Sequence, residues 1–193
     1  MEKANYFKKE LEYIEDSRIR RSCLTMINLL PDYFFTIPAS STGKYHPEFT
    51  LGKGGLVRHV KVAVKIAKDL FDNPCIGDKY TDLEKDLMLM TLILHDGLKS
   101  GITYNRYTQF DHPTLIKKYI VENQDKLELS NDEIKFISKC IEAHMGPWNT
   151  DYNGNKVLPV PKTKYENFVH MCDYLASRKY LNVKFDNNDD IIV

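Results

Sequence analysis

His95 and Asp96 follow the apolar run Leu87-Met88-Leu89-Met90-Thr91-Leu92-Ile93-Leu94, so two metal-coordinating side chains stand together where a hydrophobic helix runs out. A His-Asp dipeptide alone says little, because chance supplies many. Here His59, His112, His144 and Asp173 obey the same placement rule, each on or beside a segment of helical spacing. Gathered at one place, these groups would make a metal site. Imidazole nitrogens and carboxylate oxygens together suit a borderline divalent ion such as Mn, Fe, Ni or Zn. No cysteine joins the set, which argues against a closed structural zinc site. Open coordination positions would admit water and a phosphate oxygen, and the cation would lower the pKa of that water toward ~7. Two ions about 4 Å apart would clamp the attacking and leaving oxygens of an in-line displacement. An aspartate beside a histidine suits such a pair, since its carboxylate can bridge both ions while the imidazole binds one.

The elements that must position these groups read as helices. Residues 5–30 carry Tyr6, Leu11, Ile14, Ile19, Leu24, Ile27 and Leu30 at roughly helical spacing, and Pro31 stops the segment. Residues 31–53, with Pro38, Gly43, Pro47 and Gly52, form a long irregular connection. A helix over about 55–72 follows, with Val57, Val60, Val64, Ala67 and Phe71 as its buried stripe and His59 beside it. The next helix, about Asp82 to Asp96, sets Leu83, Leu87, Met90 and Leu94 on one face. Residues 97–111 read as a loop, and Pro113 places His112 at the entry of a new helix. Ser130-Asn131-Asp132-Glu133 is a capping box. The helix it opens carries Ile134, Ile137, Ile141 and His144 in one stripe and ends at Gly146-Pro147. Thr163-Lys164-Tyr165-Glu166 is a second capping box, and its helix aligns Val169, Asp173 and Ala176. A carboxylate within an apolar stripe needs a partner, because burying it alone costs several kcal/mol or a large pKa shift. The expectation is an all-α bundle of about six helices with two long loops, in one domain.

Composition bounds the function classes. A chain of 193 residues with 42% hydrophobic residues can bury a core unaided. Lys plus Arg equals Asp plus Glu at 27 each, so no global field attracts nucleic acid or an anionic membrane. Cys23, Cys75, Cys140 and Cys172 form no CxxC pair and read as reduced thiols. Neither a signal peptide nor a membrane-spanning stretch is evident, so a cytoplasmic location is expected.

Several further side chains could serve a phosphorylated substrate. Lys44, Arg58, Lys99 and Arg106 are candidates for charge-assisted bonds to phosphate, although a solvated surface charge is the ordinary role of each. Trp148, the single tryptophan, could stack on a nucleobase or pack on the helix end; Tyr104 and Tyr107 share that ambiguity. His144 could equally be a core histidine satisfied by a carbonyl, and His112 could simply mark a helix start. His46 could reach a phosphate or lie on the surface, and His170 reads as a supporting group.

The order His59, His95-Asp96, His112, His144, Asp173 resembles the HD-domain metal-dependent phosphohydrolases, whose pattern is His, His-Asp and Asp on successive helices. Two intervening histidines mark their two-metal branch. Gly54-Gly55-Leu56-Val57-Arg58-His59 looks like the Gly-Gly-Leu-x-x-His entry of HD domains in bacterial 3′→5′ exoribonucleases, and Pro38-Ala39-Ser40 with Tyr45-His46-Pro47 is similar to their approach to it. Small phage-type HD proteins share this look. The resemblance covers roughly residues 35–180, leaving an N-terminal helix over about 5–30 and a short tail over 181–193. It implies one ion held by His59, His95, Asp96 and Asp173, and a second sharing Asp96 with His112 and His144. The ions expected are Mn, Fe, Ni, Zn or Mg. It also implies that Lys99 contacts phosphate, although Asp96-Gly97-Leu98-Lys99 displaces the glycine of the usual His-Asp-x-Gly-Lys. The expected activity is hydrolysis of a phosphoester in a nucleotide or short oligonucleotide, with Asp96 and Lys99 catalytic and Lys44, Arg58, Arg106 and Trp148 on the substrate. Long nucleic acid and membrane are not expected partners. A nucleotide- or partner-binding module without turnover is the competing expectation.

Overall fold

A computed structural model of the chain describes residues 2–44, 46–151 and 153–192; Tyr45 of the Tyr45-His46-Pro47 segment lies outside them. The described residues are all-helical, with no strand and only two isolated bridges, Thr150 with Lys156 and Phe185 with Ile191. The eight α-helices are α1 (Lys8–Glu12), α2 (Ser17–Leu29), α3 (Gly55–Asp72), α4 (Pro74–Gly77), α5 (Asp82–Leu94), α6 (His112–Glu122), α7 (Asn131–Ala143) and α8 (Lys164–Ala176). None is long and apolar enough to cross a membrane.

The expected 5–30 helix is broken. A 3-10 turn over Lys3–Phe7 leads into α1, and the chain then bends before α2. The cause is polar and partly distant. Asp16 caps α2 by accepting from the Arg18 amide at 2.7 Å, and the Glu15 and Asp16 amides donate to the Asp86 carboxylate on α5 at 3.0 and 2.7 Å.

Helix α5 is the centre of the bundle, packed against α2, α3, α7 and α8. The Thr81–Glu84 capping box starts it, and every residue from Asp86 to Leu94 is buried. A helix apolar on all sides must be enclosed on all sides. The single apolar face expected for it is therefore incorrect, and Leu83 at 44% exposure lies outside the core on the first turn. Helices α7 and α8 begin at the two capping boxes read from the sequence. The α3 stripe Val57, Val60, Val64, Ala67 and Phe71 is buried, as are Cys23, Cys140 and Cys172, while Cys75 is exposed.

The long 31–53 connection contains two 3-10 turns, Asp32–Phe35 and Glu48–Thr50. It is tied to the start of α3 by bonds from Gly54 to the Thr36 carbonyl and Leu56 to the Ile37 carbonyl, and closed on itself by one from Ala39 to the Thr50 carbonyl. A third irregular stretch, 144–163, joins α7 to α8 and carries Trp148. The 181–192 tail returns to α3, where Asp189 pairs with Arg58 and Asp190 with the fully buried Lys61.

Gly55 is the tightest point of this assembly: a Cβ there would lie 2.0 Å from the Thr50 carbonyl oxygen and 3.1 Å from Pro38 Cα. Both neighbours are backbone and cannot rotate away. Gly55→Ala is therefore expected to destabilise the fold by about 1–3 kcal/mol, read as a lowered urea midpoint; an unchanged midpoint would contradict this packing.

Candidate metal centre

The imidazoles of His95, His112 and His144 are set by one local rule. Each follows or opens a helix end and points its Nδ1 at the carbonyl three residues back: Leu92 at 2.7 Å, Gln109 at 2.7 Å and Ile141 at 2.6 Å. A carbonyl only accepts, so each Nδ1 carries the ring proton and each Nε2 presents a lone pair. All three Nε2 atoms turn toward Asp96. Its Oδ2 lies 3.5 Å from His95 Nε2, and its Oδ1 lies 3.0 Å from His112 Nε2 and 3.8 Å from His144 Nε2. The His112 and His144 Nε2 atoms are only 3.2 Å apart. His95, Asp96, His112 and His144 are buried, so bulk water does not separate these acceptors.

His59 and Asp173 complete the cluster from α3 and α8, the two helices packed most extensively together. His59 Nε2 is 2.9 Å from Asp173 Oδ1 and 3.8 Å from Asp96 Oδ2, while Asp173 Oδ1 is 3.5 Å from His95 Nε2. The buried His95 Nε2 and Asp96 Oδ1 have no hydrogen-bond partner, and neither has His59 Nδ1. These buried groups could hold a metal ion. Two sets have ligand atoms within 4.8 Å of one another: His59, His95 and Asp173, and His95, Asp96 and His144. The grouping differs from the expected division because His95 lies between the others, its ring 5.7 Å from His59 and 4.9 Å from His144. His112 stands next to the second set through Asp96 and His144.

The protonation states agree with a cation site. Burial would raise the Asp96 carboxyl, but Lys99, His95 and His112 outweigh it and hold it well below the usual carboxylate range. Asp173 is likewise lowered despite desolvation, by the His59 and His95 imidazoles that face it. Lys99 Nζ donates to Asp96 Oδ2 at 2.6 Å, neutralising the carboxylate. The Lys99 backbone carbonyl accepts from Gln109, whose own carbonyl orients His112, so the 97–111 loop couples the Asp96 turn to His112.

The cluster lies at a cavity of about 550 Å³ whose wall includes His59, Asp96, Lys99, His144, Trp148 and Asp173. His46 is half-buried on the same wall, its ring 6.0 Å from His59. His170 bonds through Nδ1 to the His144 carbonyl at 2.7 Å. Its ring fills the space over Gly146, where φ is +61° and a Cβ would meet it at 2.2 Å. Its place is thus to support the α7 end.

The other cationic candidates separate. Arg58 is a correction: its guanidinium binds the carbonyls of Phe49, Leu51 and Lys53 and the Asp189 carboxylate, and so clamps the loop and tail rather than facing the cavity. One residue before His59, it points roughly 100° round the helix axis from that ring. Lys44 is exposed and does not border the cavity. Arg106 is also exposed and lines, with Tyr104 and Lys99, an adjoining cavity of about 210 Å³. Tyr174, Ser177 and Arg178 line the main cavity and were not singled out from sequence. Their signal was available: with His170 they fall at i, i+4, i+7 and i+8, a helical spacing that starts on α8 and runs on past its C-cap Ser177.

No protein-family model matches the chain, and no solved structure matches it.

The pH dependence of stability follows from His144. Burial first, then the rings of His95 and His112, push its imidazole down to about 3. An unfolded histidine takes its proton near pH ~6.5, so below that pH the unfolded chain binds a proton that the folded site refuses. Stability then rises with pH across this window. His46, lowered to about 4 by burial and Lys99, acts in the same sense. His95, raised by Asp96 and Asp173 against its burial, acts oppositely and above that window. In chelator-treated protein, His144→Gln should reduce the slope of unfolding free energy between pH ~6 and ~4.5 by about 1.4 kcal/mol per pH unit. Urea titrations at several pH values measure it, and an unaltered slope would refute the assignment.

Proposed function

We propose that the protein is a metal-dependent phosphohydrolase that cleaves a phosphoester bond of a nucleotide or short oligonucleotide, in the manner of the HD-domain enzymes its ligand order resembles. The observation that carries this reading is the set of inward lone pairs: three Nε2 atoms and two carboxylates from four helix ends meet beside a cavity, with a lysine at its edge. Such a donor set fits one or two divalent ions of the Mn, Fe, Ni, Zn or Mg class, held by His59, His95, Asp96 and Asp173 and by Asp96, His112 and His144. Bound there, a cation supplies Lewis acidity toward a phosphate oxygen and makes a coordinated water more acidic.

The chain's own residues do the positioning. Asp96 Oδ1, buried and without a donor, orients the attacking water toward phosphorus. Lys99 is free to exchange the Asp96 carboxylate for a substrate oxygen once another positive charge neutralises that carboxylate, and charge-assisted bonds of this kind are the strong ones. Its place between the two cavities lets it meet a phosphate from either side. The water oxygen bonds to phosphorus and gives up a proton to solvent, while the ester oxygen leaves with the electron pair of the broken P–O bond and takes a proton from solvent. The exclusion of bulk water from the cluster strengthens each of these electrostatic contacts.

Purified protein freed of metal and reloaded with Mn, Ni, Fe, Zn or Mg should hydrolyse an aryl phosphodiester or monoester and members of a nucleotide panel. Asp96→Ala should lower kcat more than about a hundredfold, and Lys99→Ala about tenfold to a hundredfold. Metal binding with no hydrolysis of any substrate would favour the binding-module reading. Hydrolysis undiminished in Asp96→Ala would place the chemistry elsewhere.

A further inference from the structure

Trp148 belongs to the wall of the cavity that holds the His/Asp cluster, together with Tyr174 and Arg178. The Trp148 and Tyr174 rings lie 5.7 Å apart and within 15° of parallel. The Arg178 guanidinium sits 3.8 Å from the centre of the Tyr174 ring. Its hydrogen bonds go to the Tyr174 carbonyl and the Ser177 hydroxyl, neither of which neutralises its charge. Tyr174 is therefore held by the Arg178 side chain just past the end of its helix, and its ring in turn braces the indole. The brace is anchored to the His/Asp cluster as well: the His170 ring, 6.3 Å from Trp148 and 6.0 Å from Tyr174, is bonded to the His144 carbonyl.

Despite these neighbours the indole is 54% exposed. Packing against the end of α7 would have buried it; the 144–163 loop instead holds a rigid aromatic plane open at a cavity. A cavity of about 550 Å³ falls within the range of roughly 300–1,000 Å³ typical of small-ligand sites. An open π-face accepts any planar heteroaromatic ring, and a neighbouring guanidinium adds attraction for an anionic substituent of the same molecule.

We propose that Trp148, braced by Tyr174 and Arg178, is the seat of a nucleobase, and that the substrate's affinity comes from stacking there while its phosphate lies toward Lys99. The inference rests on the phosphoester reading above, to which it adds the residues that would seat the base and supply the affinity.

Trp148 is the only tryptophan of the chain, so its emission reports on this seat directly. With Mg present, adenosine, guanosine, cytidine and uridine 5′-monophosphates are titrated against ribose 5-phosphate. At least one nucleotide should quench the emission saturably, and ribose 5-phosphate should leave it unchanged. In equilibrium dialysis Trp148→Ala should weaken binding of that nucleotide by about 5- to 150-fold, with ribose 5-phosphate unaffected and Trp148→Phe retaining most of the affinity. The exposed position makes both variants compatible with folding, and circular dichroism checks this. The inference is overturned if none of the four nucleotides alters the emission, if Trp148→Ala binds them as the parent does, or if ribose 5-phosphate binds as tightly as they do. Saturable quenching without hydrolysis under any metal would sustain the base seat and defeat the phosphohydrolase reading. Hydrolysis with no quenching and no preference for a base would do the reverse.

Discussion

Lone pairs facing lone pairs in a place that bulk water does not reach are the constraint on which this structure turns. The Nδ1 protons of His95, His112 and His144 are taken up by carbonyls three residues back, so the atoms left to face Asp96 are acceptors. Two of them approach to 3.2 Å. Acceptors buried together without a donor cost free energy comparable to several lost hydrogen bonds. Lys99 supplies one positive charge and satisfies one oxygen of Asp96. A cation, or protons shared at the cluster, must offset the rest. The arrangement is thus poor packing for a structural core and good packing for an ion.

The architecture enforces that crowding from several directions. Helix α5, buried throughout its second half, delivers His95 and Asp96 at its end. The capped helix α7 delivers His144, α3 delivers His59, and α8 delivers Asp173. In α5, α7 and α8, fixing the helix by its start therefore fixes a member of the cluster near its finish. Arg58, Asp189 and the carbonyls of the 49–53 segment lock the first turn of α3, one residue from His59. That turn cannot shift without moving His59. Support from outside the ligand set is as much a part of the centre as the ligands are.

Much of this was legible in the sequence because it is local. Capping boxes act within four residues, and the buried stripe of α3 repeats within one helix, so Ser130, Thr163 and Val57 announce their elements. The clustering of the histidines and aspartates was legible for a related reason: a histidine or aspartate at the end of an apolar stripe has nowhere to go but inward. What was not legible depends on distant partners. The bend at residues 13–16 exists because Asp86, some seventy residues away, receives two amides. Arg58 was misread because an arginine beside a ligand histidine could face the cavity or the loop, and only the carbonyls of Phe49, Leu51 and Lys53 decide. Enclosure of α5 on every side required knowing four neighbouring helices. The Tyr174 and Arg178 positions were in principle readable by continuing the helical spacing from His170 past the end of α8.

X-ray absorption at the edge of a bound ion tests the central claim most directly, because it sees ligand type without depending on turnover. Protein loaded with Zn or Mn should give a shell of nitrogen and oxygen scatterers, with the outer-shell pattern of two or more imidazoles and no sulfur. Loss of the imidazole pattern in His95→Ala would place the ion at the cluster. An ion without imidazole scattering, one with a sulfur shell, or a protein that retains no ion after buffer exchange would contradict the account.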